Sequence, residues 1–175
     1  HVDQTFVRDE IEFSVKSVSG AEKSWGPEPL AERRPERWNA LLEAIEETDR
    51  PTIIYTMSQR ETNLLADELS PHIGTSLAYH AGLTNERRRD VEAEFLEGRC
   101  DVIVATNAFG MGIDKSDIRS VIHWSTPASP EALYQEAGRA ARGADIERAK
   151  AILIFHESDL DHAYRTVRRD VPLRW

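Results

Sequence analysis

The sequence has one cysteine, Cys100, among 175 residues. A single thiol excludes an internal disulfide and a cysteine-based zinc cluster, so we interpret Cys100 as a half-buried structural residue and expect an intracellular protein. No run of about 18 apolar residues is present, so no membrane span or membrane partner is expected. The N-terminus shows no signal-peptide pattern and begins at His1 rather than methionine, so we expect either a fragment or a processed chain.

Positive charge is also scarce, with 22 Lys and Arg against 31 Asp and Glu and a net charge of −9. A basic excess is typical of nucleic-acid-binding domains, and this chain lacks one. Binding depends on a local basic face, so nucleic acid is not excluded. Tight binding by the chain alone is the less expected outcome.

Five short β-rich runs are mostly continuous apolar stretches, which is typical of strands buried on both faces of a parallel sheet. They lie at 52–55, 75–79, 101–105, 120–124 and 149–155, and a less regular run spans 6–15. Helical patterns alternate with them and start near Pro35, Ser58, Thr84, Ser129 and Ser158. The alternation predicts an α/β fold, a mostly parallel sheet with helices on both faces.

Residues 1–175 are predicted to form one domain, since this length suits a single hydrophobic core. Within it, the segment 17–34 contains two glycines, two prolines and several charged residues. That composition predicts a long, flexible loop.

In parallel sheets, ligands collect at the carboxyl ends of the strands. The segment VATNAFGMGID, 104–114, places Thr106 and Asn107 at such an end. Gly110 and Gly112 would let the backbone approach a phosphate, and Asp114 could accept a hydrogen bond from a ribose hydroxyl. A glycine-rich turn with an aspartate cap explains these residues equally well, because a lone GxG pattern is a weak signal.

The segment QEAGRAARG, 135–143, carries Arg139 and Arg142 among small residues. Both guanidinium groups could project from one tight element, and guanidinium suits phosphate because it is planar and always charged. Taken alone, these residues favour the simpler interpretation, in which the arginines complement a helix C-terminus or a solvated face.

The chain contains no phosphate-binding P-loop. Gly138 and Gly143 have its GxxxxG spacing, but Ala144 and Asp145 follow where Lys and Ser or Thr are required. No DExH or DEAD box follows a strand either. We therefore expect no ATP hydrolysis by the chain alone.

Two further segments could contact nucleic acid. His80 in YHAGL, 79–83, could contact a phosphate or a base, although a lone histidine at a strand end is more often a structural hydrogen-bonder. The arginines at 87–89 point in different directions on a helix, so at most one would face a ligand. His123 and Trp124 close a strand and are interpreted as packing residues.

In their order and spacing, these segments resemble the C-terminal RecA-like domain of superfamily-two helicases, and within it the RecQ family. IIYTMS, 53–58, is similar to motif IV, and YHAGL is followed by Arg88 and Phe95 as in RecQ proteins. VATNAFGMGIDKSDIRSVIHW, 104–124, is similar to motif V and its following strand, and QEAGRAARG to motif VI. The resemblance covers residues 53–156.

The resemblance implies the second motor domain of an ATP-dependent 3′–5′ DNA helicase acting in DNA repair and recombination. Arg139 and Arg142 would reach ATP and Mg²⁺ held by an N-terminal RecA-like domain, one of them as an arginine finger, and Gln135 would couple nucleotide to DNA. The implied nucleotide-binding residues are Gly112, Asp114 and Gly138. The implied contacts to single-stranded or partly duplex DNA are Thr56, Ser58, His80, Arg88, Thr106 and Asn107.

The resemblance has departures. Motif VI of RecQ proteins usually reads GRAGRDG, whereas Ala141 replaces a glycine and Gly143 the aspartate here. The zinc-binding and winged-helix modules that usually follow are not in this chain. An RNA helicase, a translocase that does not unwind, and a nonenzymatic nucleotide- or nucleic-acid-binding α/β module stay open as alternatives. The expected location is the cytoplasm, with the nucleoid, in a prokaryote and the nucleus in a eukaryote.

Overall fold

The computed structural model describes residues 9–23, 26–109, 115–143 and 146–160. This part of the chain contains six strands and five helices. The strands are β1 (Ile11–Val18), β2 (Thr52–Tyr55), β3 (Ser76–Tyr79), β4 (Val102–Ala105), β5 (Ser120–His123) and β6 (Ala149–His156). The helices are α1 (Leu30–Arg33), α2 (Pro35–Glu46), α3 (Gln59–Ile73), α4 (Asn85–Leu96) and α5 (Pro130–Ala137).

The six strands form one sheet in the order β1-β6-β5-β2-β4-β3, and every neighbouring pair is parallel. The central strands β2, β4 and β5 are buried along their whole length. This burial on both faces explains why they appear in the sequence as continuous apolar runs. The predicted parallel α/β fold is confirmed.

Helices cover both faces of the sheet. Side chains of α2 and α3, such as Leu41 and Leu65, pack on one face against Ile54 and neighbouring strand residues. On the other face, Val91 and Phe95 of α4 pack against alternate strand residues such as Ile53. Adjacent residues of one strand therefore contribute to different cores, as the period of two requires.

Four helices begin where the sequence predicts: α2 at Pro35, and α3, α4 and α5 directly after their capping residues. Ser58, Thr84 and Ser129 each accept a hydrogen bond from the backbone N–H three residues later, at Glu61, Arg87 and Ala132. Such a cap satisfies one of the N–H groups that a helix start leaves without a partner. No helix in the described ranges is long and apolar enough to cross a bilayer.

The predicted loop at 17–34 is wrong at both ends. Its first two residues lie in β1, and its last residues include α1. The Glu68 carboxylate of α3 accepts hydrogen bonds from the Leu30 N–H at 2.7 and 2.9 Å. A carboxylate distant in sequence thus caps this short helix, so the residues around α1 do not predict where the helix begins.

One other predicted boundary shifts. The first strand, expected at 6–15, runs to Val18 because it pairs with β6 over all eight residues, and residues 1–8 lie outside the described ranges. The last predicted helix is helical at 158–160, and its continuation lies outside the described residues.

A buried arginine joins the loop, α2 and the sheet. Arg37 is 1% exposed. Its guanidinium donates to the Trp124 carbonyl at 2.6 Å and the Ile154 carbonyl at 3.3 Å. Ion pairs to Glu22 at 2.7 Å and Asp159 at 2.9 Å balance its charge. Every interaction of this guanidinium bridges separate parts of the chain.

Arg37→Ala is expected to lower the free energy of unfolding by about 3–5 kcal/mol, because it removes the buried cation shared by the Glu22 and Asp159 carboxylates. Urea unfolding of the chain measures this loss. Arg99→Ala removes an exposed arginine paired with Glu97 and should change stability by about 0.5 kcal/mol or less. Equal effects of the two substitutions would contradict the assignment.

Candidate nucleotide and nucleic-acid site

Parallel pairing aligns the ends of four strands with one another and with Leu153 of β6. Tyr79 lies beside Ala105, Ala105 beside Tyr55, Tyr55 beside His123, and His123 beside Leu153. We call these five residues the terminal row. The motifs that follow β2, β3, β4 and β5 all leave the sheet at this carboxyl edge, where ligands are expected.

Two of the predicted nucleic-acid contacts are buried threonines just beyond the terminal row. Thr56 is 6% exposed, and its hydroxyl hydrogen-bonds that of Thr62 at 2.7 Å. Thr106 is 8% exposed, and its hydroxyl accepts from the Ala108 N–H at 3.4 Å. Both hydroxyls are thus hydrogen-bonded within the domain, and the contact of these residues with phosphate stays a prediction.

His80 follows β3 and is also buried. Its Nδ1 accepts from the Gly82 N–H at 3.2 Å, which leaves the proton on Nε2 to be donated to Asn63 Oδ1 at 3.1 Å. Both ring nitrogens are therefore engaged within the domain. Burial lowers the pKa of His80, and the structural interpretation of this residue is the favoured one.

The other predicted nucleic-acid contacts reach solvent. Ser58 and Asn107 are exposed after β2 and β4. Arg88 on α4 is half-buried, hydrogen-bonds Asn85 Oδ1 and lies beside the Tyr79 hydroxyl. Burial and a hydrogen bond to Glu92 raise the pKa of Tyr79 to about 12, so this phenol stays neutral.

The predicted arginines follow α5 on a tight segment, residues 138–143, which we call the arginine segment. Its Ala141 N–H donates to the Ile118 carbonyl at 3.1 Å, and its Gly143 N–H to the Ser116 carbonyl at 2.7 Å. A Cβ at Gly143 would lie 2.9 Å from that oxygen. The small residues are thus required because backbone packs directly on backbone.

Both guanidinium groups lie near one phenol. Burial raises the pKa of Tyr55, while the charge and hydrogen bond of Arg139 and the charge of Arg142 oppose the rise. Arg139 is half-buried, whereas Arg142 is exposed and donates from Nε to the Gly138 carbonyl at 3.3 Å. Gln135 is exposed on α5. Gly112 and Asp114 lie outside the described residues.

A model of the helicase conserved C-terminal domain matches residues 36–144, which is more than half of the chain. The chain belongs to this helicase family. Within the family, the chain is similar in sequence to RecQ helicases. It is 43% identical over 67% of its length to the RecQ-like DNA helicase BLM of Xenopus laevis, and 40% identical over 62% to the ATP-dependent DNA helicase RecQ of Bacillus subtilis.

A third relative of this helicase domain is a putative ATP-dependent RNA helicase, R290, of Acanthamoeba polyphaga mimivirus, 39% identical over 62% of the chain. The matches cover 9%, 18% and 20% of the frog, Bacillus and viral proteins, so the chain spans a fifth or less of their length. In fold, a DEAD box protein from Methanococcus jannaschii is similar, with a TM-score of 0.68 and 24% identity over 91% of this chain and 39% of that one.

Ala141 adopts a backbone conformation that favours glycine. It has a positive φ of 55°, in the left-handed region that favours glycine. RecQ proteins usually have glycine at this position of motif VI. The substitution therefore keeps the turn of the arginine segment at the cost of backbone strain.

Sequence reasoning missed the polar role of His123. This residue is fully buried, as predicted for a packing residue, but its Nε2 lies 2.9 Å from the Glu136 carboxylate and its ring stacks on Tyr55. Glu136 lies 13 residues further along the chain, on α5. The pairing depends on how α5 packs on the sheet, so no sequence spacing announces it.

The buried His80 makes the helicase domain sensitive to acid. The unfolded chain takes up a proton near the ordinary histidine pKa of about 6.5, whereas the folded chain does so only at lower pH. The contribution of neutral His80 to the free energy of unfolding is therefore fully present above about pH 6.5. It is lost as the pH falls from there through the lowered pKa of the folded chain.

His80→Gln is therefore expected to reduce the loss of unfolding free energy between about pH 7.5 and about pH 5.5, measured by urea unfolding at both values. His72→Gln, at an exposed histidine, is the matched control and should leave the loss unchanged. An equal loss in the wild type and His80→Gln would refute the assignment.

Proposed function

We propose that this chain is the second motor domain of an ATP-dependent RecQ-like DNA helicase that moves 3′ to 5′. The observation that carries the proposal is the arginine segment, which holds Arg139 and Arg142 together beside the terminal row. Two cations carried on backbone this tight are suited to a polyphosphate, because the backbone that presents them is already ordered before binding.

The chain's residues fit only one part of an ATP site. Arg142 is exposed and anchored at Nε, so its terminal nitrogens are available to a phosphate beyond the domain. The P-loop lysine and the acidic box that hold phosphates and Mg²⁺ are absent from the sequence. The N-terminal RecA-like domain would supply them.

Within that division, each residue of motif VI has a role. Bound ATP supplies the phosphoryl group that is transferred to water. Arg142 would stabilise the charge that develops on the γ-phosphate, and Arg139 would hold the segment and add positive charge. Gln135, exposed on the turn before, would couple the nucleotide to DNA. Gly112 and Asp114 are proposed to approach the nucleotide, and Gly138 to allow the close turn.

The carboxyl edge of β2, β3 and β4 would grip one DNA strand. Ser58 and Asn107 offer exposed polar groups, and Arg88 offers a charge. Thr56, Thr106 and His80 support this edge from inside. Such contacts go to phosphates and sugars and read no sequence. By the same resemblance, the protein would act in DNA repair and recombination, with the nucleoid in a prokaryotic cytoplasm or in a eukaryotic nucleus.

Arg142→Ala in the intact helicase is expected to lower DNA-stimulated ATP turnover by about 10³-fold or more, as for other arginine fingers. Affinity for DNA should be largely retained, since the proposed DNA contacts are Ser58, Asn107 and Arg88 and do not include Arg142. Arg148→Ala, which removes an exposed arginine at the opposite edge of the sheet, is the control. Unchanged turnover in Arg142→Ala would remove Arg142 from this role.

The chain alone is expected to show no ATP hydrolysis and to bind single-stranded DNA weakly, with affinity that falls as salt rises. Arg88→Ala should reduce the slope of log affinity against log salt by about 0.7, the loss of one phosphate contact. Arg89→Ala, an exposed neighbour on α4, should change the slope less. Fluorescence anisotropy over a salt series measures both.

The same titration separates the alternatives. Preference for an RNA strand of the same sequence would favour an RNA helicase, the class of the viral relative. Tight, salt-insensitive binding would contradict the proposed phosphate contacts altogether.

A further inference from the structure

His123 stands at the centre of a buried link between the sheet and the arginine segment. It is the last residue of β5 and is 0% exposed. Its Nε2 lies 2.9 Å from Oε2 of Glu136, whose side chain is 15% exposed. A carboxylate only accepts hydrogen bonds, so the imidazole donates from Nε2.

Glu136 is linked to the backbone of Arg139. The two residues are three apart, at the end of α5, and the Arg139 N–H donates to the Glu136 carbonyl at 3.2 Å. Fixing the Glu136 side chain against β5 therefore fixes the turn of backbone from which Arg139 projects.

A second contact leads from His123 to the same arginine. The Tyr55 and His123 rings stack, with centroids 5.5 Å apart and an interplanar angle of 21°. The Tyr55 hydroxyl donates to the Phe109 carbonyl at 3.4 Å and interacts with Arg139. One imidazole thus contacts Glu136 through its edge and Tyr55 through its face.

A histidine at position 123 lowers the stability of the fold. Its other nitrogen, Nδ1, is buried and has no hydrogen-bond partner among the described residues, and a buried polar group of this kind is destabilising. Its neighbours in β5, Val121 and Ile122, are apolar. An apolar residue would fill the same space without that cost, so the bond to Glu136 is the feature that requires histidine.

We propose that His123 and Glu136 are positioning residues that hold Arg139, and with it the arginine segment, in the orientation used for ATP hydrolysis. This inference rests on the proposed function of the two arginines. Neither residue need touch the nucleotide. Since misplacement of a catalytic group by about 1 Å can cost about 10²-fold in rate, loss of the link should act on turnover.

The test uses the intact helicase and a double-mutant cycle. His123→Phe keeps a ring on Tyr55 but removes the Nε2 donor, and it should lower kcat for DNA-stimulated ATP hydrolysis by about 10²-fold with little change in KM for ATP. Glu136→Gln retains an acceptor oxygen and should keep most of the activity, whereas Glu136→Leu should behave like His123→Phe. Near-ultraviolet circular dichroism checks that each variant is folded.

The decisive comparison is Arg139→Ala against Arg139→Ala combined with His123→Phe. If His123 acts through Arg139, the double variant should be no slower than Arg139→Ala alone. Additive losses, or full activity of folded His123→Phe while Arg139→Ala is impaired, would overturn the positioning role and leave the proposed function intact. Full activity of both Arg139→Ala and Arg142→Ala would overturn the proposed function, and this inference with it.

Discussion

The parallel pairing of β2 with both β4 and β5 is the constraint on which the rest of the structure depends. It sets Tyr55 beside Ala105 on one side and His123 on the other. The segments after three buried strands then leave the sheet at one edge. A shift of one residue in this register would turn each side chain to the opposite face of the sheet, so the pairing fixes both where the motifs lie and which core they meet.

Alternation along the strands divides the carboxyl edge between two faces. Tyr55 belongs to the core under α4, where the arginine segment also packs. Trp124, one residue past β5, belongs to the opposite core with α2 and α3, and its indole N–H donates to Glu61 in the first turn of α3. The arginine segment therefore packs on one face of these strands. The first turn of α3, which follows Ser58, is held from the opposite face.

Several carboxylates of this acidic chain bind partners inside the domain. Glu22 pairs with Arg37, Glu68 caps α1, Glu61 bonds Arg34 and Trp124, and Glu136 bonds His123. The Glu–Arg pairs already cancel within the net charge of −9, whereas Glu68 and Glu136 direct their charge at donors inside the domain. Composition counts internal and surface carboxylates alike, so the net charge alone does not predict the charge of a local surface.

The sequence by itself determined the parallel α/β fold, the strand positions and four of the helix starts. Apolar runs and Ser or Thr caps are local signals that act over a few residues. It also located Arg139 and Arg142 by motif. Only the tertiary structure decided that α1 is capped by Glu68, that His80 uses both ring nitrogens internally, and that His123 bonds Glu136. Each of these depends on side chains that meet only after helices pack on the sheet, and such contacts have no fixed spacing in sequence.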